Sequence, residues 1–83
     1  MIKHPRIERD PEIMNGKPVI KGTRMPVAII IERLADRRTV EDLLDDYPFL
    51  TEEDIYAALE YATDLVNAQR AVSPSDGFHQ PIA

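Results

Sequence analysis

Residues 10–27 read Asp10-Pro-Glu-Ile-Met-Asn-Gly-Lys-Pro-Val-Ile-Lys-Gly-Thr-Arg-Met-Pro-Val27. Three of the seven prolines and two of the three glycines of the chain fall in this stretch. These residues interrupt regular backbone too often for the stretch to form a helix. Asn15-Gly16 is a strong turn signal because both residues tolerate a positive φ, and Gly22 supplies a second reversal. The pattern therefore predicts a β arm over residues 7–24. Its candidate strand residues are Ile7, Ile13, Val19 and Ile20.

Three stretches with helical periodicity follow the arm. Pro26 suits the first turn of a helix, where its missing N–H has no partner to lose. Thr39 with Asp42, and Thr51 with Asp54, have the spacing of a capping box. After each of these starts, apolar residues recur at helical spacing along one face. The predicted helices span residues 26–36, 39–47 and 51–71.

These elements predict a mainly α fold, a three-helix helix-turn-helix domain with a short N-terminal β hairpin or arm, although many unrelated three-helix domains share this layout. Residues 1–72 form this single domain, and residues 73–83 lack any period and are predicted to be a flexible tail. A chain of 83 residues can form only a small hydrophobic core, and this chain has no cysteine that could add a disulfide bond. We therefore expect a homodimer or a higher oligomer.

Several kinds of chemistry are missing from the sequence. There is no cysteine nucleophile, and the two histidines, His4 and His79, lie near the ends of the chain. The acidic clusters at the helix starts are explained by the helix dipole, and no glycine spacing matches a phosphate-binding loop. We expect a protein that is not an enzyme and that has no metal and no cofactor. No apolar run approaches the roughly 20 residues that cross a bilayer, and the polar start predicts a cytoplasmic location without membrane partners.

Charge is distributed unevenly along the chain. The formal net charge is −5, yet residues 1–38 carry nine Lys and Arg against five acids, and residues 39–83 carry one Arg against ten acids. Such segregation is typical of a chain with two different partners, although solvated faces also produce it. The front half can face a polyanion such as nucleic acid, whereas a polyanion would repel the back half.

Residues 10–27 closely resemble the signature of the bacterial domain-of-unknown-function family 433. The resemblance continues through Thr39-Val-Glu-Asp-Leu-Leu44 to Tyr61-Ala62 and covers about residues 7–66. It implies a winged or homeodomain-type helix-turn-helix with a β arm, and several members resemble VapB-type antitoxins encoded beside a PIN-like ribonuclease toxin. The implied function is a type II antitoxin that neutralises such a toxin and binds its own operator DNA. The alternatives are a stand-alone transcription regulator and a dimerisation adaptor that does not bind DNA.

One residue departs from the family pattern. The turn between the first two helices usually carries a glycine in this family, and Arg37 stands in its place here. A non-glycine residue at positive φ is strained by about 1 kcal/mol or more. We therefore expect this turn to be reshaped.

The third helix is poorly suited to approach DNA with its first turn, because it begins Thr51-Glu-Glu-Asp54 and has no Lys or Arg before Arg70. We instead predict that the arm and the first interhelical turn contact phosphates, with the arms of two protomers forming a ribbon. The alternative for Arg24 is a salt bridge or carbonyl cap at the Gly22 turn, and the two lysines can be the solvent face of a hairpin. The predicted DNA-binding residues are Lys17, Lys21, Arg24, Arg37 and Arg38.

The third helix and the tail are the candidate toxin-binding elements. A ribonuclease groove lined for a polyanion accepts an acidic or tail-borne segment of an antitoxin. Phe78 is a possible apolar anchor in a polar stretch, and a frayed terminus is the alternative. The predicted toxin-binding residues are Phe78, Arg70 and Asp76.

Overall fold

The computed structural model of the chain describes residues 3–70. Strand β1 (Ile7–Glu8) pairs antiparallel with strand β2 (Val19–Ile20), so that Ile7 lies opposite Ile20. Between them the chain passes through one turn of 3₁₀ helix, Met14–Gly16. This confirms the β arm. Ile13, the one strand candidate outside β1 and β2, forms only an isolated bridge with Asp10.

Both predicted reversals of the arm have the expected backbone. Asn15 and Gly16 have φ values of 59° and 80°, and Met14 before them is also left-handed at 51°. Gly22 has a φ of 81°. Glycine adopts this conformation without steric strain, and asparagine adopts it more readily than most residues. The left-handed backbone of Asn15, Gly16 and Gly22 therefore follows directly from their residue types, whereas the residue type of Met14 does not explain its left-handed backbone.

Three helices follow the arm: α1 (Val27–Ala35), α2 (Val40–Asp46) and α3 (Glu52–Arg70). The Thr39 hydroxyl accepts the Asp42 backbone N–H at 3.0 Å, and the Asp42 carboxylate accepts the Thr39 backbone N–H at 2.9 Å. Thr51 and Asp54 make the same reciprocal pair at the start of α3. Both predicted capping boxes are present, and the three helices confirm the mainly α fold.

The prediction that the turn at Arg37 would be reshaped is wrong. Arg37 adopts a φ of 72°, its N–H donates to the Leu34 carbonyl, and the Arg38 N–H donates to the Arg33 carbonyl. This is the Schellman arrangement that normally ends a helix at a left-handed glycine. The hydrogen bonds that close the last turn of α1 hold the backbone, so arginine occupies the glycine position under strain.

The core lies between α1 and α3, and α2 and the arm complete it. Its fully buried side chains include Ile20, Ile30, Leu43, Ile55 and Tyr61. Along α3, burial ends near Tyr61, because Leu65 and Val66 are 40 % and 58 % exposed. None of the helices in residues 3–70 combines the length and apolar character that crossing a membrane requires. The predicted tail, residues 73–83, lies outside the described residues.

Candidate nucleic-acid interface

Three of the predicted DNA-binding residues lie at the turns of the arm. Lys17 follows the 3₁₀ turn, Lys21 follows β2, and Arg24 follows the Gly22 reversal. All three are exposed, and none of them forms a salt bridge or a side-chain hydrogen bond within residues 3–70. Their charges are therefore not neutralised by the part of the chain that the structure describes.

Other side chains fix the turn next to Arg24. The Thr23 hydroxyl donates to the Ile20 carbonyl at 2.7 Å and accepts the Met25 backbone N–H at 3.0 Å. The Gly22 N–H donates to the Glu8 carboxylate at 3.2 Å. The alternative structural role for Arg24, a salt bridge or carbonyl cap that fixes this turn, is therefore not what the described residues adopt.

Arg37 and Arg38 differ in their surroundings although they are neighbours. Arg38 Nη2 donates to Asp46 Oδ2 at 2.5 Å, and both side chains are nearly half exposed. This hydrogen bond and the charge of Asp46 raise the pKa of Arg38 above its ordinary value. Arg37 is exposed and has no ion pair among residues 3–70. Arg37 therefore presents a full charge at the α1–α2 turn, whereas Asp46 partly offsets that of Arg38.

One ion pair and one hydrogen bond attach the N-terminal side of the arm to α3. Arg6 Nη1 lies 3.1 Å from Asp54 Oδ1, and His4 Nε2 lies 2.7 Å from Glu60 Oε1. These contacts hold the N-terminal side of the arm against the third helix. Sequence analysis missed both contacts, because their partners are 48 and 56 residues apart and no local pattern connects them.

An open apolar groove with a volume of 570 Å³ lies beside the Gly22 turn, and Arg24 forms part of its wall. Phe49 is 55 % exposed at its edge and packs edge-on against Tyr47, with ring centroids 6.2 Å apart. Sequence analysis did not single out Phe49. The available signal was an aromatic residue in a turn between two capped helices, outside both apolar stripes. The groove places an apolar surface next to an unneutralised cation.

The start of α3 has the opposite charge from the arm. Its first turn carries Glu52, Glu53 and Asp54, of which Asp54 is buried.

Residues 3–70 contain no group of three or more His, Cys, Asp or Glu arranged to hold a metal ion. Arg70 ends α3, but its side chain, like the whole of Asp76 and Phe78, lies outside the described residues. The structure therefore describes all five predicted DNA-binding residues, whereas the side chains of the three predicted toxin-binding residues lie outside its described part.

Comparison with known proteins places this architecture among relatives without an assigned role. A family model described as "Protein of unknown function (DUF433)" matches residues 7–62. The "Uncharacterized protein y4eO" of Sinorhizobium fredii is 38 % identical over 56 residues, which is 68 % of this chain. The chain spans only 25 % of the length of that relative.

A solved structure shares the fold. The crystal structure of a DUF433 member protein from Anabaena variabilis superposes with a TM-score of 0.67 and is 29 % identical in sequence. The similarity covers 82 % of this chain and 68 % of the other. The arm and the three helices are therefore an arrangement found in at least one other protein of this kind.

Proposed function

The chain belongs to the DUF433 family, and we propose that it is an operator-binding antitoxin of a type II toxin–antitoxin system. In this proposal it binds its own operator DNA and neutralises a PIN-like ribonuclease toxin. It acts in the cytoplasm as a dimer or higher oligomer and has no catalytic step of its own. The family description leaves function open, so the proposal rests on the charges and contacts of the arm and on the resemblance to VapB-type antitoxins.

The observation that supports DNA binding best is the state of Arg24. Thr23 and Glu8 already fix the turn that precedes it, so its guanidinium is free to contact a ligand. Lys17 and Lys21 add two exposed charges on the same arm. These cations favour contacts with a polyanion although the net charge of the chain is −5, because each phosphate contact releases condensed counterions from DNA.

The exposed turns of the arm are the parts that can reach DNA. Val19 and Ile20 of β2 are buried in the core, so in the proposal the cations at the turns, rather than the strands, face a groove, and the arms of two protomers would supply a broader surface. The acidic first turn of α3 would be repelled by phosphates, so α3 is a poor leading element. In the proposal the turns of the arm enter a groove of the DNA, and Arg37 contacts the neighbouring phosphate backbone. Arg38 contributes less to DNA binding, because its guanidinium is already hydrogen-bonded to Asp46.

The proposed toxin surface lies on the other half of the chain. The stretch from α2 to the first turn of α3 carries seven acids and no Lys or Arg. A ribonuclease that binds RNA in a basic groove attracts such a surface. We assign toxin contacts to α3 with Arg70 and to the following segment with Asp76 and Phe78. A truncation after Val72 tests that assignment, since it should neutralise the toxin less well than the full chain.

The experiment that tests the proposal is co-expression with the product of the neighbouring gene, affinity capture, and a salt-titrated mobility shift on the upstream DNA. A stable complex that shifts the DNA, with affinity that falls as salt rises, supports the antitoxin. If the protein binds DNA in a salt-dependent way and no partner is captured, the result favours a stand-alone regulator over an antitoxin. A protein that shifts no DNA at low salt in either form contradicts the DNA-binding half of the proposal.

A further inference from the structure

The side of α3 that faces away from the core carries an apolar stripe, which we call the outer stripe. Its three large side chains, Tyr56, Leu59 and Val66, are 50 %, 36 % and 58 % exposed. Together with Thr63 they are spaced three, four and three residues apart, which is the spacing of the seam between two helices of a coiled coil. The helix therefore packs on the core with one face and has a second face suited to contact another helix.

The one polar member of the outer stripe does not need water. The Thr63 hydroxyl donates to the Leu59 carbonyl at 2.8 Å, one helical turn earlier. A threonine hydroxyl bonded back to its own helix already has a partner, and its methyl group contributes apolar surface. An apolar surface of another molecule can therefore cover the stripe without leaving a buried hydroxyl unsatisfied.

A row of carboxylates, the acidic row, runs along one side of the outer stripe. At about 100° per residue, Glu53, Glu60 and Asp64 lie about 60°, 40° and 80° around the helix from Tyr56, all in the same direction. All three side chains are exposed, and Glu53 and Asp64 have no ion pair among residues 3–70. Glu60 accepts from His4 Nε2 at 2.7 Å, yet its side chain remains 67 % exposed. The outer face of α3 is therefore apolar on one side and negatively charged on the other.

The charge of the acidic row determines what can cover the outer stripe. A second copy of this face would bring carboxylates of the same kind against Glu60 and Asp64, which is unfavourable. Nucleic acids and anionic membrane surfaces are repelled for the same reason. In a contact between two helices, charged residues beside the seam select the partner through ion pairs. Glu60 directly follows Leu59 of the seam, and Glu53 lies one heptad earlier. The complementary occupant is a helix with its own apolar stripe and with Lys or Arg along one side of that stripe.

We propose that the outer stripe and the acidic row of α3 form a docking surface for a basic amphipathic helix of another protein. Apolar side chains of the partner cover Tyr56, Leu59 and Val66. Its cations pair with Glu60 and Asp64, which line a shallow depression of 310 Å³ together with Leu59. A short seam with a few exposed ion pairs supports a reversible contact. The docking surface includes none of the residues that we assign to DNA or toxin binding, so it depends on neither function.

NMR titration of the full chain, labelled with ¹⁵N, with two synthetic peptides of about 20 residues tests the docking surface. The first peptide carries Leu at the seam positions and Lys beside them, and the second has the same composition in scrambled order. We expect the first to bind with a Kd between about 10 μM and 1 mM, and the second at least about tenfold more weakly. The amide signals of Tyr56, Glu60, Thr63 and Asp64 should shift most.

Three outcomes of this titration overturn the proposal. They are the absence of binding up to about 1 mM of the first peptide, equal binding of the scrambled peptide, and shifts centred on the arm or on α1. Dilution of the chain alone is the control for self-association. If dilution shifts the same α3 signals, a second copy covers the outer stripe and the proposal is wrong.

Two pairs of variants separate the apolar contribution from the charged one. Val66→Ser should weaken binding of the first peptide about three- to tenfold. Leu65→Ser is its control and should bind like the wild type, because Leu65 is 40 % exposed but lies about 180° around the helix from Tyr56. Asp64→Asn should weaken binding and reduce its dependence on salt, whereas Asp45→Asn, an exposed acid of α2, should change neither. A Val66→Ser variant with wild-type affinity, or an Asp64→Asn variant with unchanged affinity and salt dependence, contradicts the docking surface.

Discussion

Arg6 Nη1 lies 3.1 Å from Oδ1 of Asp54, while Oδ2 of the same carboxylate accepts the Thr51 backbone N–H at 3.1 Å. One side chain therefore caps α3 and attaches the arm to it. The Asp54 side chain is 11 % exposed and that of Arg6 is 50 % exposed, so the carboxylate depends more on the contact than the guanidinium does. A mostly buried charge without its partner is costly, whereas a half-exposed one returns to water.

We expect Arg6→Ala to lower the free energy of unfolding by about 1 kcal/mol, after allowance for the screening of the exposed arginine. Urea denaturation monitored by circular dichroism measures the change. Lys21→Ala is the matched control, because Lys21 is an exposed cation of the arm without an ion pair among residues 3–70. Its substitution should change stability by less than about 0.5 kcal/mol. Equal effects of the two substitutions would show that Asp54 gains nothing from Arg6.

Replacement of Arg37 by glycine should stabilise the protein. Arg37 sits at a φ of 72° in the Schellman turn, where glycine is free of steric strain. The gain should be up to about 1 kcal/mol, since the greater freedom of glycine in the unfolded chain offsets part of the relief. Thermal denaturation of Arg37→Gly and Arg37→Ala separates strain from charge, because both variants lose the guanidinium and only glycine relieves the backbone. Identical melting temperatures for these two variants would show that the backbone at residue 37 is not strained.

The local features of the fold were predictable from the sequence because they depend on neighbouring residues. Asn15-Gly16 and Gly22 specify their turns by backbone freedom, and the Thr39 and Thr51 capping boxes specify the starts of α2 and α3. The exposure of Lys17 and Lys21 also followed from their place in the arm, whereas the sequence left a salt bridge or carbonyl cap open for Arg24. Each of these features is decided within four or five residues.

The remaining features depend on competition between local strain and longer-range contacts. Arg37 was expected to reshape its turn, but the hydrogen bonds to Arg33 and Leu34 outweigh a strain of about 1 kcal/mol. The attachment of the arm through Arg6 and Asp54 depends on how the arm folds back on α3, which no local pattern encodes. The exposure of Phe49 likewise depends on how the α2–α3 turn lies against the start of α1, since Pro26 and Ile29 line the same groove as Phe49.

The capping box of α2 should make stability depend on pH. Hydrogen bonds with the Thr39 backbone N–H, and then with its side chain, lower the pKa of Asp42 below its ordinary value of 3.8. A carboxyl whose pKa is lowered by folding stabilises the protein above its unfolded pKa, and that contribution is lost as the pH falls through the folded pKa. The difference in unfolding free energy between wild type and Asp42→Asn should therefore be constant above about pH 5 and shrink below about pH 4.

Urea titrations of both proteins at several pH values measure this difference. Asp45→Asn is the control, because Asp45 is on the same helix but outside the capping box. Its difference from the wild type should change less across the same interval. A difference for Asp42→Asn that stays constant down to about pH 2 would show that the Thr39 contacts do not favour the charged carboxyl.

Removal of two cations from the arm tests the proposed DNA surface most directly. Lys21→Gln with Arg24→Gln should preserve the fold, because Thr23 and Glu8 hold the turn between them. If both residues contact phosphates, operator affinity should fall and the slope of log K against log salt should decrease by about 2. Mobility shifts or fluorescence anisotropy at four or more salt concentrations give this slope. Arg38→Gln serves as the comparison, since Asp46 already offsets that charge and its removal should change the slope by less than about 1. Unchanged affinity and slope in a folded double variant would exclude the arm as the DNA-binding surface.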